Sequence, residues 1–291
     1  MEMITFDTPK GGEAIIIRNK KQAILIDGGE GESDENKILG GKLREFLINN
    51  NAKLRAIILS HNHEDHSNAI GSMVDGDNSI LEDDVVFYHQ NEARADKFYT
   101  KMVDKLDRVE IKKIPIDPWE QKRINNWDGD QPIKLFCGPK ITGKNRFYRS
   151  ILALVPFGNA KFLFTGDIET KPTENKLIAD KRTKPLLKNI DVLKITHHGS
   201  GSGTGAKFLN FTSAALFVTS SAADSHHDLD PKTGARIKDY IKGKGYSFNK
   251  KSGPCGIFNT CFKGKIIVRT DGVTTTLNGV KGVLFEVETE K

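Results

Sequence analysis

The run of six residues from His61 to His66 constrains this chain more than any other part of its sequence. It reads HNHEDH, so that three imidazoles and an aspartate carboxylate fall close together. Imidazole nitrogen and carboxylate oxygen are the ligands that Zn²⁺, Mn²⁺ and iron take in proteins. In an extended segment His61 and His63 point to one side, and a tight turn then brings Asp65 and His66 to a neighbouring point. The run therefore predicts two adjacent metal sites, and we favour this interpretation over a surface loop that holds these residues by chance.

The histidine run follows a short apolar strand, residues 56–59, and the same arrangement recurs later in the chain. Three further apolar stretches lead into His or Asp: residues 160–165 precede Gly166 and Asp167, residues 191–195 precede His197 and His198, and residues 214–219 precede His226 and His227. Seven of the eight histidines belong to these groups. Ligands and catalytic groups gather at the carboxyl ends of strands in open α/β sheets. We therefore expect residues that are far apart in sequence to form one site.

Each later group also has a plainer interpretation. Asp167 follows a glycine and could be an ordinary turn residue, although beside the histidine run it is predicted to bridge two metals. Of His197 and His198, we expect one to serve the site and the other to support it, and we assign the ligand role to His197. His227 lies in the polar stretch SHHDLDP, which suits the start of a helix as well as it suits a ligand or a proton donor.

Hydrophobic periodicity predicts an α/β chain. Residues 13–18 and 22–27 read EAIIIR and QAILID and predict a hairpin, and apolar residues at helical spacing over 39–47 predict a helix. Further along, we predict a charged helical stretch over residues 92–113, a helix over 231–242 and a β-rich tail over 261–287. We expect one domain over residues 1–291, in which about residues 90–145 form an insertion or covering layer.

Composition limits the class of protein and its partners. The sequence of 291 residues has no apolar run near the ~20 residues that span a bilayer and no signal-peptide core, which favours the cytoplasm and no membrane segment. The three cysteines form no C-x-x-C pair, which argues against a disulfide framework and a structural zinc site. The formal net charge of +6 favours polyanionic partners if the excess is gathered on one face, and means little if it is spread.

These motifs resemble those of the metallo-β-lactamase superfamily. Its signature H-x-H-x-D-H is matched by residues 61–66, and its bridging Asp by Asp167. Within the superfamily the chain most resembles the hydrolase domain of the DNA-uptake channel protein ComEC and its stand-alone relatives. The stretches that carry this likeness are LIDGG at residues 25–29, FTGDIE at 164–169, LKITHHGS at 193–200 and the later His227.

The chain departs from these relatives at two positions. ComEC proteins usually have Asp where this chain has His63. Many superfamily members place another metal-binding His shortly before the bridging Asp, and residues 145–150 contain none. We therefore expect His197 or His198 to complete that metal position.

The resemblance implies a four-layer αββα sandwich of the metallo-β-lactamase fold with a central insertion, and two divalent metal ions, Zn²⁺ or Mn²⁺. The predicted metal ligands are His61, His63, Asp65, His66, Asp167 and His197. The predicted catalytic residues are Asp65, which would orient an activated hydroxide or take its proton, and His198 and His227, of which one or the other would protonate the leaving oxygen. The predicted substrate contacts are Ser200, Lys144, Arg146 and Arg149. The three basic residues could equally well be a run of charged side chains exposed to solvent.

The favoured function is a metal-dependent phosphodiesterase or nuclease, with nucleic acid or another phosphodiester as substrate. One alternative keeps the site and changes the substrate to a small molecule such as a cyclic nucleotide, lactone, lactam or thioester, since a fold does not define a function. Another is a non-catalytic binding module with a protein partner in an uptake or defence system.

Overall fold

Two mixed β-sheets form the centre of the protein. The computed structural model describes every residue except 9, 30–32, 76–77, 92–96, 140–148, 169, 223–227, 245–255, 278–279 and 291. The first sheet has the spatial order β17 (Glu286–Glu290), β14 (Lys265–Arg269), β1 (Glu2–Thr5), β2 (Ala14–Asn19), β3 (Gln22–Gly28), β4 (Lys53–Ile58), β5 (Leu81–Gln90) and β6 (Lys112–Ile116). The second has the order β13 (Gly256–Asn259), β12 (Leu216–Thr219), β11 (Val192–Lys194), β10 (Ala160–Phe164), β9 (Ile151–Phe157), β8 (Ile133–Cys137) and β7 (Gln121–Ile124). A separate hairpin pairs β15 (Thr274–Leu277) with β16 (Val280–Val283).

Helices cover the outer face of each sheet. The first sheet is covered by α1 (Ser33–Asn49), α2 (Glu64–Val74) and α3 (Lys97–Arg108), and the second by α4 (Thr170–Ala179), α5 (Ala206–Thr212) and α6 (Pro231–Gly243). A short helix, α7 (Thr260–Lys263), connects β13 to β14. The four layers confirm the predicted αββα sandwich.

Alternation along the strands explains why the strands are apolar on both faces. Ile15 and Ile17 of β2 lie in the core between the sheets, whereas Ile16 faces the helices. In β10, Phe162 faces the other sheet and Leu163 faces the helices. Side chains of a strand alternate between its two faces, so a strand buried on both sides reads as a continuous hydrophobic run.

The predicted hairpin and the predicted strand ends are present. Strands β2 and β3 pair antiparallel, with Ile16 opposite Leu25. Strands β3, β4 and β5 run parallel, and so do β10, β11, β12 and β13. The carboxyl ends of these strands therefore lie at one edge of each sheet, and the loops that follow them meet between the two sheets.

The stretch from residue 90 to residue 145 takes part in both sheets. Helix α3 packs against α2 and fits the description of a covering layer. Strand β6 is an edge of the first sheet, and β7 and β8 belong to the second. An edge strand has one neighbour and needs fewer apolar residues, so β6 (KKIPI) and β7 (QKRI) lack a clear strand pattern. The division of the chain into domains stays a prediction.

In the described part of the chain, every helix is too short or too polar to cross a lipid bilayer.

Candidate metal centre

The loop after β4 and the first turn of α2 deliver the histidine run. His61 is 1% exposed, and His63 lies just before the helix. Asp65 and His66 lie in the first turn of α2 and are buried. A carboxylate is stabilised at a helix N-terminus by the helix dipole. Because the chain changes here from an extended loop to a helix, the side chains of residues 61, 63, 65 and 66 all point into the same space.

Asp167 reaches the same volume from the end of β10. Gly166, which precedes it, has φ +50°, and a Cβ at this position would lie 2.7 Å from Ser60 Cβ. The backbone N–H of Asp167 donates to Ser150 Oγ at 2.9 Å. A glycine is needed here because the turn passes directly against the loop that carries the histidine run.

A tight turn after β11 presents His197 and His198. Both residues have positive φ, 45° and 50°, and Gly199 follows with φ 91°. Non-glycine residues seldom adopt this conformation, and where they do the cause is often functional. The turn is held by the His197 N–H, which donates to the Gly166 carbonyl at 3.1 Å.

The ligand atoms form two adjacent groups. In the first, atoms of His61, His63 and Asp167 lie within 4.8 Å of one another. In the second, the same limit holds for Asp65, His66, Asp167 and His198. Asp167 belongs to both groups.

The two carboxylate oxygens of Asp167 face different histidines. Oδ2 lies 3.6 Å from His61 Nε2 and 3.5 Å from His197 Nε2. Oδ1 lies 3.3 Å from His66 Nε2 and 3.6 Å from His198 Nε2. One carboxylate thus reaches both groups, and its bridging role stays a prediction.

The outer nitrogens of three histidines are occupied, which leaves their Nε2 atoms facing the centre. His61 Nδ1 lies 3.0 Å from Ser60 Oγ, His66 Nδ1 lies 2.7 Å from Asp27 Oδ2, and His198 Nδ1 lies 3.1 Å from the Ser220 carbonyl. Metal-binding histidines characteristically donate their other N–H to such partners. Among the described residues, buried His61 Nε2 has no hydrogen-bond partner.

The separations between ligand atoms suit a shared ion. Two ligand atoms that are each about 2.0–2.1 Å from a tetrahedral ion lie about 3.4 Å apart. In the second group, Asp65 Oδ2 lies 3.0 Å from His198 Nε2 and 3.3 Å from His66 Nε2. The nitrogens His66 Nε2 and His198 Nε2 lie 3.2 Å apart. The residues present therefore fit divalent cations in both their chemistry and their spacing.

Burial and close neighbours shift the pKa values of the imidazoles and carboxylates in the centre. Burial lowers the pKa of His61 well below its usual value, and the neighbouring His66 adds to this effect. The pKa of His66 is instead raised well above its usual value, because Asp167, Asp65 and Asp27 together outweigh the effect of burial. Although burial opposes it, the surrounding histidines hold the pKa of Asp167 well below the usual range. The lowered pKa values of His61 and Asp167 favour the neutral imidazole and the ionised carboxylate, which are the forms that bind metals.

Sequence reasoning missed Asp27 as part of the centre. This residue is the last but one of β3, has φ 58° and is fully buried. Its Oδ1 accepts the Ser60 N–H at 2.7 Å, and its Oδ2 contacts His66. Asp27 therefore fixes both the loop and one imidazole. The signal was present, since an Asp beside glycine at the end of an apolar strand is also what identified Asp167.

A buried ion pair lies behind Asp27 and was also missed. Ligand atoms of Glu13, Asp27 and His66 lie within 4.8 Å of one another, which by itself resembles a third metal group. The ammonium of Lys194 contacts the carboxylate of Glu13, and both side chains are almost completely buried. Lys194 therefore supplies the positive charge at this position, and the pair links β11 of the second sheet to the start of β2. The sequence signal was a lone lysine inside an apolar strand.

The predicted substrate contacts fall at different places. Ser200 follows the histidine turn and is partly exposed, with its Oγ 3.2 Å from Ser202 Oγ. Arg149 is 9% exposed, and its guanidinium donates to Gln90 Oε1 at 3.3 Å and to the Asn91 carbonyl at 3.2 Å. This placement suits support of the loop better than contact with a substrate. Lys144, Arg146 and His227 lie outside the described residues, so their predicted roles stay predictions.

A family model described as the metallo-β-lactamase superfamily matches residues 7–209. The chain therefore belongs to the metallo-β-lactamase superfamily. The members of this superfamily are metal-dependent hydrolases that bind divalent metals. The finer likeness to ComEC stays a prediction.

Solved structures of the same fold are only distantly similar in sequence. The metal-dependent hydrolase Tm1679 of the β-lactamase superfamily is 14% identical with a TM-score of 0.54, over 91% of this chain and 98% of that one. The short form of human tRNase Z is 13% identical with a TM-score of 0.48, over 76% and 92%. The metallo-β-lactamase fold protein YhfI from Bacillus subtilis is 13% identical with a TM-score of 0.48, over 89% and 96%. A comparison with curated protein sequences gave no match. At this identity the likeness concerns the fold alone.

Proposed function

We propose that this protein is a metal-dependent phosphodiesterase with two divalent ions, Zn²⁺ or Mn²⁺. The observation that carries the proposal is the position of Asp167, whose two oxygens face two separate groups of buried ligand atoms. Paired metal sites occur in phosphatases, nucleases and polymerases, where they clamp the attacking and leaving oxygens of an in-line displacement. The basic balance of the chain agrees with an anionic substrate.

The ligand assignment follows the two groups. His61, His63 and Asp167 would hold one ion, with His197 beside them, and Asp65, His66, His198 and Asp167 would hold the other. Bound ions would lower the pKa of water toward neutrality and polarise a phosphoryl oxygen. We assign His198 to the ligands and not to proton donation, because both of its ring nitrogens already have polar neighbours.

Asp65 is the residue we propose to orient the attacking water. Although burial opposes it, His66 and His198 hold its pKa well below the usual range, so the carboxylate is ionised and can accept a hydrogen bond from the water. The Ser200 hydroxyl, which is partly exposed beside the turn of His198, would donate to a non-bridging phosphoryl oxygen. Four further points stay predictions: that His227 donates a proton, that the substrate is a nucleic acid, that the protein has a protein partner, and that it is cytoplasmic.

The test compares Asp65→Asn with Asp75→Asn on purified, metal-loaded protein. Asp75 follows the same helix but is exposed and pairs with Lys105 at 2.7 Å, so it is a matched control for loss of one charge. Hydrolysis of bis(p-nitrophenyl) phosphate should fall roughly 100-fold or more for Asp65→Asn and stay unchanged for Asp75→Asn. Equal rates for wild type and Asp65→Asn, or no hydrolysis of any phosphodiester by wild type with bound metal, would refute the proposal.

A further inference from the structure

The positive charge of the chain is concentrated in one quarter of it. Residues 170–244, which contain α4, α5, α6 and the segments between them, hold 13 Lys and Arg against 7 Asp and Glu. Their excess of 6 equals the net charge of the whole chain, so the rest of the sequence is balanced. The charge is therefore gathered on the helices that cover the second sheet and is not spread over the molecule.

Ten of these 13 cations are exposed in the described part of the chain, and few acids accompany them. Among the described residues of this quarter, the only exposed acidic residues are Asp228 and Asp239. The exposed cations are Lys176, Lys181, Arg182, Lys184, Lys188, Lys207, Lys232, Lys238, Lys242 and Lys244. We call this set the basic layer. On helices α1, α2 and α3, exposed cations and exposed acids are equal in number among the side chains that the structure describes.

The basic layer lies on one side of the molecule. Helix α5 contacts both α4 and α6, and Leu177, Phe208 and Ile237, one from each helix, share the core beneath them. The opposite faces of the helices therefore carry the lysines into solvent. The Lys188 ammonium lies 5.7 Å from the ring centre of Phe211, which joins the segment before β11 to α5.

Helix α6 connects the basic layer to the metal centre. Its Thr233 hydroxyl donates to the Ser200 carbonyl at 2.8 Å, and Arg236 donates to the Gly203 carbonyl at 2.8 Å. The loop that follows His198 is thus fixed to the start of α6. From there the helix extends for 13 residues, about 20 Å. Lys238 and Lys242, one turn apart, lie on the same side of it.

We propose that the basic layer binds the sugar-phosphate backbone of a nucleic acid strand and that α6 directs this strand toward the metal centre. The inference rests on the proposed phosphodiesterase function and names a polymeric substrate for it. Exposed cations on one side of a molecule suit phosphate contacts, which position a strand without reading its sequence. The large exposed hydrophobic residues of the described chain are Ile38, Ile48, Phe262, Val273 and Leu284, all outside this layer. An amphipathic helix that inserts into a membrane surface carries large apolar side chains beside its lysines, so nucleic acid is favoured.

The test reverses charge on one layer and compares it with an equal change on the other. The variant is Lys232→Glu with Lys238→Glu and Lys242→Glu, and the control is Lys37→Glu with Lys42→Glu and Lys101→Glu. Binding of a fluorescent phosphorothioate single strand to metal-loaded protein is measured by anisotropy across a salt series. We expect the α6 variant to bind at least about 10-fold more weakly and its salt slope to fall by about 2, since each phosphate contact contributes ~0.7 on single strands. The control should bind within about 3-fold of wild type, because its three lysines lie on α1 and α3, outside the basic layer proposed to contact the phosphates.

Each outcome of the experiment decides between the proposals. Both variants should keep the wild-type melting temperature and the wild-type rate on bis(p-nitrophenyl) phosphate. An equal loss of binding in both triple variants would show that binding depends on the net charge of the protein and not on the basic layer, and it would overturn the inference. Binding to phosphatidylserine vesicles without binding to the oligonucleotide would also overturn it. If the oligonucleotide binds through the basic layer but the protein hydrolyses no phosphodiester, the proposed binding surface is supported and the phosphodiesterase proposal is refuted.

Discussion

The Asp167 carboxylate has no equivalent elsewhere in the centre, because each of its oxygens faces a different group of ligands. We predict that Asp167→Asn keeps the fold but loses one metal completely and weakens the other. Hydrolysis should fall roughly 1,000-fold, as expected for several kcal/mol of lost stabilisation. Elemental analysis of the purified variant measures the first effect and a phosphodiester assay the second. A variant that retains the full wild-type metal content would contradict the bridging role.

The Glu13–Lys194 pair makes a prediction about stability. Removing one member leaves a buried charge without its partner, which typically costs about 3–5 kcal/mol, whereas removing both costs far less. Glu13→Gln and Lys194→Met should therefore each lower the free energy of unfolding strongly, and the double variant should recover most of the loss. Urea denaturation of the three variants gives the values. Additive losses would show that the two charges do not compensate one another.

Candidate metal ligands are easier to predict from sequence than the residues that hold them in place. His61, Asp65 and Asp167 were identifiable because such residue types at strand ends have few structural uses. Glu13 and Lys194 were not, since an acid and a lysine are ordinary surface residues until the fold buries them against each other. The sequence also left His197 and His198 unresolved, because only the turn that gives both a positive φ determines where each ring points.

At the scale of elements, the junction of β10 with the β4 loop depends on Gly166. An alanine there would require φ +50° and a Cβ in contact with Ser60. Gly166→Ala should cost about 1–3 kcal/mol in the free energy of unfolding and weaken metal binding, because Asp167 or the histidine loop must move.

Gly41 of α1 provides the matched control. A Cβ there meets no atom within 4 Å, so Gly41→Ala should raise the free energy of unfolding by roughly 0.5–1 kcal/mol through helix propensity. Thermal unfolding of both variants checks the contrast. Equal effects of the two substitutions would show that the turn at Gly166 tolerates a side chain.

The parallel strands were predictable as elements, whereas the edges of the sheets were not. Strands β4, β10 and β11 are apolar because both faces are covered, and this pattern predicts them. Strand β7 is polar at most positions since it lies at an edge, so the interval that contains it was interpreted as a covering layer. Strand β7 joins the second sheet through its pairing with β8, which pairs in turn with β9, and a polar strand has no hydrophobic pattern that would reveal this.

For the whole molecule, ions shared by ligands from both sheets should stabilise the packing of the sheets. A ligand that binds only the folded state adds about 2.7 kcal/mol when its concentration is 100-fold above its Kd. Dialysis against a chelator should therefore lower the melting temperature, and Zn²⁺ or Mn²⁺ should restore it. Asp167→Asn should respond much less to either treatment, measured by differential scanning calorimetry. An identical melting temperature with and without metal would contradict ion binding across the two sheets.

His66 and His198 are 132 positions apart in the chain, yet their ring nitrogens nearly touch. During synthesis, the ribosome therefore exposes the histidine run long before the turn that completes the ligand set emerges. A nascent chain has no means to assemble both ligand groups until both halves have left the exit tunnel and docked. Complete binding of the proposed ions, and with it the proposed hydrolysis, would therefore begin only after residue 198 has emerged from the ribosome and docked.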